Sequence, residues 1–321
     1  MSKLLLIDAD NVGHRSCYSN KDLYTDDGRF IGGIAGTIGA LRSLCFSYPD
    51  HTPIVIWDSR SKGRRRLFPA YKANRPTDDF RIEIDRQLAI SRRVSRLLGF
   101  RTVFVPGFEA DDLIASLATR NPCTIVSNDK DFFQLLRHDH VRIDRRDSPK
   151  ALDRAAFVDR YGVSPDHYRL SQAITGDSSD GVIGVYGVGE IKAGKNGEAR
   201  KLIGDLDRSL IGVDPDWLGI LEHIAAKPGR IADRVVEAFD QVCFNYQLTE
   251  LLSDRFAPLP ARQAMRTQIE GGYTGVAIRK AIETLIDVGY EPIDGIETQS
   301  FLSAAEARLD DIERIDYGEE T

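Results

Sequence analysis

The chain has 321 residues and a formal net charge of −6; 42% of its residues are apolar and 29% are charged, a composition typical of a globular protein with one large core or two modest ones. The first apolar run, residues 4–7, ends at Asp8 and is too short for a signal peptide or a membrane span, so no membrane association is expected. The four cysteines lack Cys-x-x-Cys spacing, which argues against a cysteine zinc site and predicts a reducing, cytoplasmic compartment.

Apolar runs and helical patterns alternate along the first half of the chain. Strands are predicted at 3–8, 53–57, 101–105 and 123–127, and helices at 30–47, 109–120, 130–137, 152–161 and 165–175. This alternation predicts an α/β fold in which helices flank a parallel sheet. The predicted domains are an α/β core at 1–175 with a basic segment at about 59–98, a glycine-dense and then helical lobe at 176–295, and an acidic tail at 296–321 that is mobile or weakly helical.

Nine carboxylates follow the predicted strand ends or lie in sharp turns, namely Asp8, Asp58, Glu109, Asp111, Asp112, Asp129, Asp131, Asp177 and Asp180. Ligands of parallel α/β sheets bind beyond the carboxyl ends of the strands, so we expect these groups to gather at one rim. They would repel each other unless cations lay between them, and oxygen-only ligands favour Mg²⁺ or Mn²⁺. Singly, each group is also explained as a helix cap, a helix-dipole partner or a turn residue. Together they favour a metal site for phosphodiester hydrolysis.

Positive charge is concentrated in one segment. Residues 60–101 hold thirteen Lys or Arg against four acids, a local net charge of +9. In SKGRRRLFPAYKANRP (61–76) the cations alternate with Phe68 and Tyr71, which favours a phosphate-contacting segment over a plain solvated face. The glycines of GVYGVG (184–189) have the wrong spacing for a dinucleotide site, but they suit either a plain turn or a hairpin whose amides meet phosphates.

This ordered set of motifs resembles the flap endonuclease and 5′–3′ exonuclease family, which includes the N-terminal nuclease domain of bacterial DNA polymerase I and stand-alone phage 5′-exonucleases. The motifs are IDADNVGHR, Asp58 with the basic segment, FEADD, SNDKDFFQLL and GDSSDGVIGVYGVGEIK, between about residues 3 and 203. The resemblance implies a PIN-like nuclease core with a helical arch and a helix–hairpin–helix variant in the helical lobe.

The resemblance also implies a ligand set for two Mg²⁺ ions, for which Mn²⁺ can substitute. The first ion would be held by Asp8, Asp58, Glu109 and Asp111, the second by Asp129, Asp131, Asp177 and Asp180, with Asp112 near both. A K⁺ ion would lie at the hairpin around residues 187–192.

Lys62 and Arg64 are the implied catalytic cations, at the base of the arch. The stretch from Asp58 to Tyr71 is one residue shorter than the family pattern, which leaves open whether Arg60, Lys62 or Arg64 has this role. The remaining implied DNA-binding residues are Arg15, Arg60, Arg65, Tyr71, Lys72, Arg75, Gly187, Val188, Gly189 and Lys192. The chain also departs from the pattern at Ala9, where the family has glycine, and by an insertion in GVGEIKAGKNGEA.

The expected function is therefore a structure-specific 5′-nuclease, both exonuclease and flap endonuclease, that hydrolyses DNA at 5′ flaps, nicks and free 5′ ends during replication or repair. It would act as a monomer in the cytosol of a bacterium or a phage-infected host, beside a separate DNA polymerase. A PIN-like ribonuclease and a non-catalytic protein that binds DNA structures remain as alternatives. The basic segment and the hairpin favour DNA over RNA, and the complete carboxylate set favours catalysis.

Overall fold

The computed structural model describes residues 3–59, 61–75, 77–147, 150–189, 191, 197–251, 254–271, 278–289, 312 and 314–318. Two of the predicted site residues, Arg60 and Lys192, lie outside these ranges. Within them, no helix is both long enough and apolar enough to cross a membrane.

The strands are β1 (Lys3–Asp8), β2 (His51–Ile56), β3 (Arg101–Val103), β4 (Cys123–Val126), β5 (Val141–Asp144), β6 (Gly176–Asp177) and β7 (Val182–Ile183). The helices are α1 (Ala9–Ser19), α2 (Gly32–Ser47), α3 (Lys62–Leu67), α4 (Asp79–Leu97), α5 (Ala110–Ala118), α6 (Arg154–Tyr161), α7 (Pro165–Thr175), α8 (Glu198–Ile203), α9 (Trp217–Ala225), α10 (Arg230–Glu237), α11 (Phe239–Leu248), α12 (Leu259–Glu270) and α13 (Ile278–Asp287). Residues Asp131–Arg137 and Arg208–Leu210 form 3₁₀ helices.

The chain divides into two compact units. Unit 1 comprises Met1–Arg60, Pro76–Asn128 and Ala257–Thr321, and unit 2 comprises Ser61–Arg75 and Asp129–Phe256. The predicted limits are residues 175 and 295, whereas unit 2 begins again at Asp129, inside the predicted core, and the chain returns to unit 1 at Ala257. There α12 packs on β3 and α13 packs on α4. The predicted basic segment at 59–98 is shared between the units, with α3 in unit 2 and α4 in unit 1.

β1 is the central strand of the parallel sheet in unit 1. It pairs with β2 through Leu6 and Ile54 and with β4 through Leu6 and Ile125, and β3 continues the sheet beyond β2. Leu5, Leu6 and Ile7 are fully buried, as expected for a parallel strand that is covered on both faces. The predicted fold class, a parallel sheet flanked by helices, is confirmed. Because these strands run in one direction, the residues that follow β1, β2 and β4 lie at the same rim of the sheet.

The glycines of α2 allow it to pack closely against α1. A Cβ at Gly33 would lie 2.4 Å from the Cys17 Sγ atom, and a Cβ at Gly36 would lie 2.7 Å from the Cβ of Ser16. The helix predicted at 30–47 is therefore present as α2, Gly32–Ser47, and it packs closely on α1. Gln87 of α4 completes the arrangement, because its Oε1 accepts the N–H of Ile34 at 3.0 Å. These contacts fix α1, which begins directly after Asp8.

Residues 314–318, part of the acidic segment that is expected to be mobile or weakly helical, pack within unit 1. Ile315 and Tyr317 are buried. The side chain of Asn121 donates to the carbonyl of Asp316 at 2.8 Å and accepts the N–H of the same residue at 2.9 Å. The segment is held by such side-chain to main-chain bonds rather than by an amphipathic face, so it leaves no periodicity in the sequence.

Helix α7 organises the part of unit 2 that carries the remaining carboxylates. Its residue Tyr168 contacts the rings of Phe133, Phe157 and Tyr161 edge-on, with centroid distances of 5.3 to 5.6 Å, which ties the 3₁₀ helix at 131–137 to α6 and α7. At the end of α7, Gly176 has φ +70°, and a Cβ there would lie 2.4 Å from the backbone of Val182 and Gly184. Only glycine fits this start of the β6–β7 hairpin. The β6–β7 hairpin thus forms the start of the glycine-dense segment, just before the glycines of 184–189.

Candidate active site

Asp8 connects the ends of two strands in unit 1. One carboxylate oxygen accepts the N–H of Asn11 at 3.1 Å and thereby caps α1. The other accepts the hydroxyl of Ser127, directly after β4, at 2.7 Å. Asn11 in turn accepts the N–H of Asn128 at 3.1 Å. The buried Asp8 carboxylate is therefore fixed at the rim by both its cap and its neighbouring strand.

The carboxylate of Asp58 lies against the N-terminal end of α5. Its Oδ1 atom accepts the N–H of Ala110, the first residue of that helix, at 3.0 Å. The positive end of a helix dipole stabilises a carboxylate in this position. The same helix start carries Glu109, Asp111 and Asp112, of which Glu109 and Asp112 are buried. The five predicted carboxylates of unit 1 thus lie at the ends of β1 and β2 and at the start of α5.

Asp10 is a sixth carboxylate in this group, and the predicted site set does not include it. Its Oδ2 atom accepts the main-chain N–H of Asp58 at 2.6 Å. Burial, followed by the negative charges of Asp58 and Asp8, raises the pKa of Asp10 to about 8, although the hydrogen bond from Asp58 and the charge of Arg92 act in the opposite direction. In the sequence, Asp10 is one acid in the first turn of a helix, which by itself gives no functional signal.

The other four predicted carboxylates form a second group inside unit 2. Asp129 accepts the N–H of Asp131 at 2.9 Å, Asp131 accepts the side-chain amide of Gln172 at 2.7 Å, and Asp177 accepts the N–H of Ser179 at 2.8 Å. Burial, followed by the charges of Asp129, Asp177 and Asp180, raises the pKa of Asp131 well above its ordinary value. Burial also raises the pKa of Asp129, with further contributions from Asp180 and Asp177. The structure therefore brings these four groups within electrostatic reach of one another.

Asp180 holds three residues of the basic segment. Its carboxylate accepts the Tyr71 hydroxyl at 3.0 Å and Arg75 Nη2 at 3.0 Å, and Lys72 Nζ lies 3.8 Å away. Its carbonyl accepts the N–H of Lys72 at 2.9 Å, and Lys72 has the unusual backbone φ of 55°. The charge of Lys72 also opposes the raised pKa of Asp129. The sequence predicts Lys72 and Arg75 only as DNA contacts, whereas the structure places them beside the second carboxylate group.

The predicted catalytic cations have different environments. Lys62 is exposed at the start of α3, but Arg64 is only 3% exposed. Arg64 donates to the carbonyls of Leu248 and Glu250 at 2.9 and 3.1 Å and lies over the ring of Phe256. Its guanidinium therefore lacks the solvent-facing position that contact with a phosphate requires.

Among the predicted DNA-binding residues, Tyr71 also differs from expectation. The residue is 5% exposed and its ring packs against Val182 and Leu248, so it offers little surface for contact with DNA. Arg15, Arg65, Arg75, Gly187 and Gly189 are exposed, Lys72 is half-buried and Val188 is buried.

Both groups consist of oxygen donors, which suit Mg²⁺, Mn²⁺ or Ca²⁺ rather than soft metals. Within the described ranges, no three His, Cys, Asp or Glu side chains converge closely enough to hold an ion as they stand. Burial and neighbouring carboxylates raise the pKa of Asp10, Asp129 and Asp131, and a bound cation would offset that repulsion. The donor chemistry therefore fits a hard divalent ion.

The protein is of the class in which a parallel α/β unit carries carboxylates at its strand ends and a second carboxylate group follows in the chain. Comparison with known proteins identifies the family. Residues 3–162, about half the chain, match the family described as the 5′–3′ exonuclease, N-terminal resolvase-like domain. DNA polymerase I of Mycobacterium tuberculosis (strain ATCC 25618 / H37Rv) is 31% identical over 268 residues, covering 78% of this chain and 27% of the polymerase. The chain thus spans about a quarter of the length of that relative.

Solved structures from bacteriophage T5 have a similar fold. The 5′-exonuclease with bound zinc has a TM-score of 0.63 and 20% identity, covering 95% of this chain and 100% of that one. The flap endonuclease in a pseudo-enzyme–product complex with DNA and metal ions has a TM-score of 0.61 and 20% identity, covering 89% and 99%. At this identity the likeness establishes the fold. The chain belongs to the 5′–3′ exonuclease family, and the predicted resemblance is confirmed.

Proposed function

We propose that the chain is a divalent-metal-dependent 5′-nuclease that hydrolyses DNA phosphodiesters. The observation that carries this proposal is the gathering of carboxylates into two hydrogen-bonded groups in a chain of this family, one at the sheet rim of unit 1 and one around Asp131 in unit 2. A set of helix caps alone would not need acids such as Asp10, Asp129 and Asp131, whose pKa is raised by burial and by neighbouring carboxylates.

In this proposal, each group holds one metal ion. Asp8, Asp58, Glu109, Asp111 and Asp112 would hold the first, and Asp129, Asp131, Asp177 and Asp180 the second. Mg²⁺ is the expected ion and Mn²⁺ its substitute, since the donors are oxygens. When bound, such an ion supplies an activated water and neutralises the charge that develops on the phosphate. The expected K⁺ at residues 187–192 remains part of the proposal.

Lys72 is the cation that we favour for contact with the scissile phosphate. Its ammonium group lies beside the second carboxylate group, whereas Arg64 is buried against carbonyls and Lys62 is exposed with no hydrogen bond or ion pair identified within the described residues. A pre-positioned cation stabilises negative charge best where water is excluded. Arg75, which also binds Asp180, would assist. When substrate binds, a phosphate oxygen would replace Asp180 as the partner of these two cations.

The proposed substrates are 5′ flaps, nicks and free 5′ ends in DNA. The T5 neighbour described as a flap endonuclease is bound to DNA in its structure, and the matched relative is a DNA polymerase. We further propose a role in replication or repair, in which this chain acts as a monomer in the cytosol and a DNA polymerase fills the gap that it leaves.

The test is cleavage of end-labelled flap DNA with and without Mg²⁺, by wild type and by Asp131→Asn. The matched control is Asp240→Asn, an exposed acid of unit 2 outside the carboxylate group. Wild type and control should cleave only with the ion, and Asp131→Asn should bind the flap without cleaving it. Preferential cleavage of the same structure in RNA would support the ribonuclease alternative. Binding without metal-dependent cleavage of either substrate would support the non-catalytic alternative.

A further inference from the structure

Asp10 links three segments that carry carboxylates in unit 1. It is the second residue of α1, and its Oδ2 atom accepts the N–H of Asp58 at 2.6 Å. The Oδ1 atom of Asp58 accepts the N–H of Ala110 at 3.0 Å. Two consecutive hydrogen bonds therefore run from α1, through Asp58, two residues after β2, to the first residue of α5.

Asp58 lies just beyond the end of β2, where a side chain binds its main-chain N–H. Trp57, the residue directly after β2, donates its N–H to the carbonyl of Val103, the final residue of β3, at 2.9 Å. The N–H of the next residue, Asp58, is bound by the side chain of Asp10. Because a fixed N–H restricts the backbone dihedrals of its residue, the direction in which the Asp58 side chain projects depends on this bond.

We infer that Asp10 is a positioning residue for Asp58. It acts by accepting a hydrogen bond from the main chain of Asp58, and its negative charge is not required for that task. The inference rests on the proposed function, in which Asp58 is a metal ligand. Hydrogen bonds that orient a ligand in this way are typically worth about 10- to 100-fold in metal affinity or activity.

Two substitutions separate the hydrogen bond from the charge. Asp10→Asn keeps an acceptor oxygen of the same reach and removes the charge, and Asp10→Ala removes both. We expect Asp10→Ala to lower the affinity for Mn²⁺, measured by titration calorimetry, and the single-turnover cleavage rate by about 10- to 100-fold. Asp10→Asn should stay within about threefold of wild type in both measurements, given that it leaves the acceptor in place. Asp85→Ala, which removes an exposed acid of α4 in unit 1, controls for a general loss of negative charge.

A third measurement needs neither metal nor cleavage. Hydrogen exchange at the amide of Asp58 in metal-free protein should be faster in Asp10→Ala and unchanged in Asp10→Asn. If wild type fails to cleave DNA with any divalent ion, the proposed function fails, while the exchange pattern still decides whether Asp10 holds Asp58. If Asp10→Asn loses as much Mn²⁺ affinity as Asp10→Ala, the charge matters and the inference is overturned. Equal exchange of the Asp58 amide in all three proteins overturns it as well.

Discussion

Replacement of Arg64 by alanine should destabilise the fold, whereas replacement of Lys62, two residues earlier in the same helix, should not. Arg64 Nε donates to the carbonyl of Leu248 at 2.9 Å, and Nη2 donates to the carbonyl of Glu250 at 3.1 Å. The guanidinium carbon lies 4.2 Å from the centroid of the Phe256 ring. All of these partners belong to unit 2, so the side chain ties α3 to the end of α11 and the segment that follows it.

The expected loss follows from these contacts. Each of the two carbonyls that loses a buried donor costs about 1–3 kcal/mol, and the lost cation–π contact costs about 0.5–2 kcal/mol. The three contributions share one side chain, and local relaxation lets water reach the carbonyls, so they do not add fully. We therefore expect Arg64→Ala to lower the free energy of unfolding by roughly 2–5 kcal/mol. Lys62→Ala, an exposed change, should stay within about 0.5 kcal/mol.

Urea unfolding followed by circular dichroism measures both effects, and an unchanged m value would confirm that only stability has altered. Arg64→Lys is the informative control. It keeps the charge but loses the planar fork that reaches both carbonyls, so its loss should be intermediate. An Arg64→Ala midpoint equal to that of wild type would refute the structural role and return Arg64 to the set of catalytic candidates. Equal destabilisation by Lys62→Ala would show that the loss of stability comes from a change in the whole helix α3 rather than from the loss of the buried guanidinium.

Three further predictions concern other parts of the chain. Asp131→Asn removes a charge that burial and neighbouring carboxylates disfavour, so it should raise the melting temperature of metal-free protein. It should also reduce the increase in melting temperature that Mg²⁺ causes. Thermal unfolding with and without the ion tests this, and an unchanged increase would contradict it. Deletion of residues 312–321, which removes the buried Tyr317 and its neighbours, should lower the melting temperature by roughly 5–10 °C in a scan, whereas a solvated tail would change nothing. Burial, followed by the charge of His140, lowers the pKa of His138 from 6.5 to about 4, so its contribution to stability is intact above pH 6.5 and is lost as the pH falls towards 4. His138→Gln should flatten that part of the pH–stability curve, and a variant curve parallel to that of wild type would contradict the assignment.

The sheet and its carboxylates could be predicted because their signals are local. The run from Leu4 to Ile7 is fully apolar and stops at Asp8, which is the pattern of a buried parallel strand and its end. The acids after residue 108 open a helix, where the helix dipole favours them. In such cases a few consecutive residues determine both the element and the position of the functional group within it.

The environments of the cations could not be predicted, because they depend on partners that are distant in the chain. Lys62 and Arg64 have the same charge, and only the carbonyls of Leu248 and Glu250 make one of them a buried structural residue. The tie between Lys72 and Asp180 likewise spans more than a hundred residues. No periodicity or spacing rule encodes such pairs.

The limits of the two units could not be predicted from the sequence for a related reason. The helical pattern after residue 176 continues without a break in composition, although α12 leaves unit 2 and packs on β3. Arg101 of β3 donates to the carbonyl of Ile269 in α12 and to that of Glu270 at 3.3 Å. The side chain of Gln268 accepts the N–H of Phe104 and donates to the carbonyl of the same residue. These are single polar side chains that any surface helix could carry, so their partners become apparent only in the fold.

The structural and functional explanations of the carboxylates turn out to describe one arrangement. In both groups the oxygens accept main-chain N–H groups: Asp8 from Asn11, Asp58 from Ala110, Asp129 from Asp131 and Asp177 from Ser179. These are helix caps and Asx turns, which the sequence offers as alternatives to a metal site. A capping bond, however, also fixes the direction of the carboxylate and offsets part of the repulsion from its neighbours. The local turn chemistry is therefore the means by which so many acids are held together, and Asp10 extends it to the backbone of Asp58 itself.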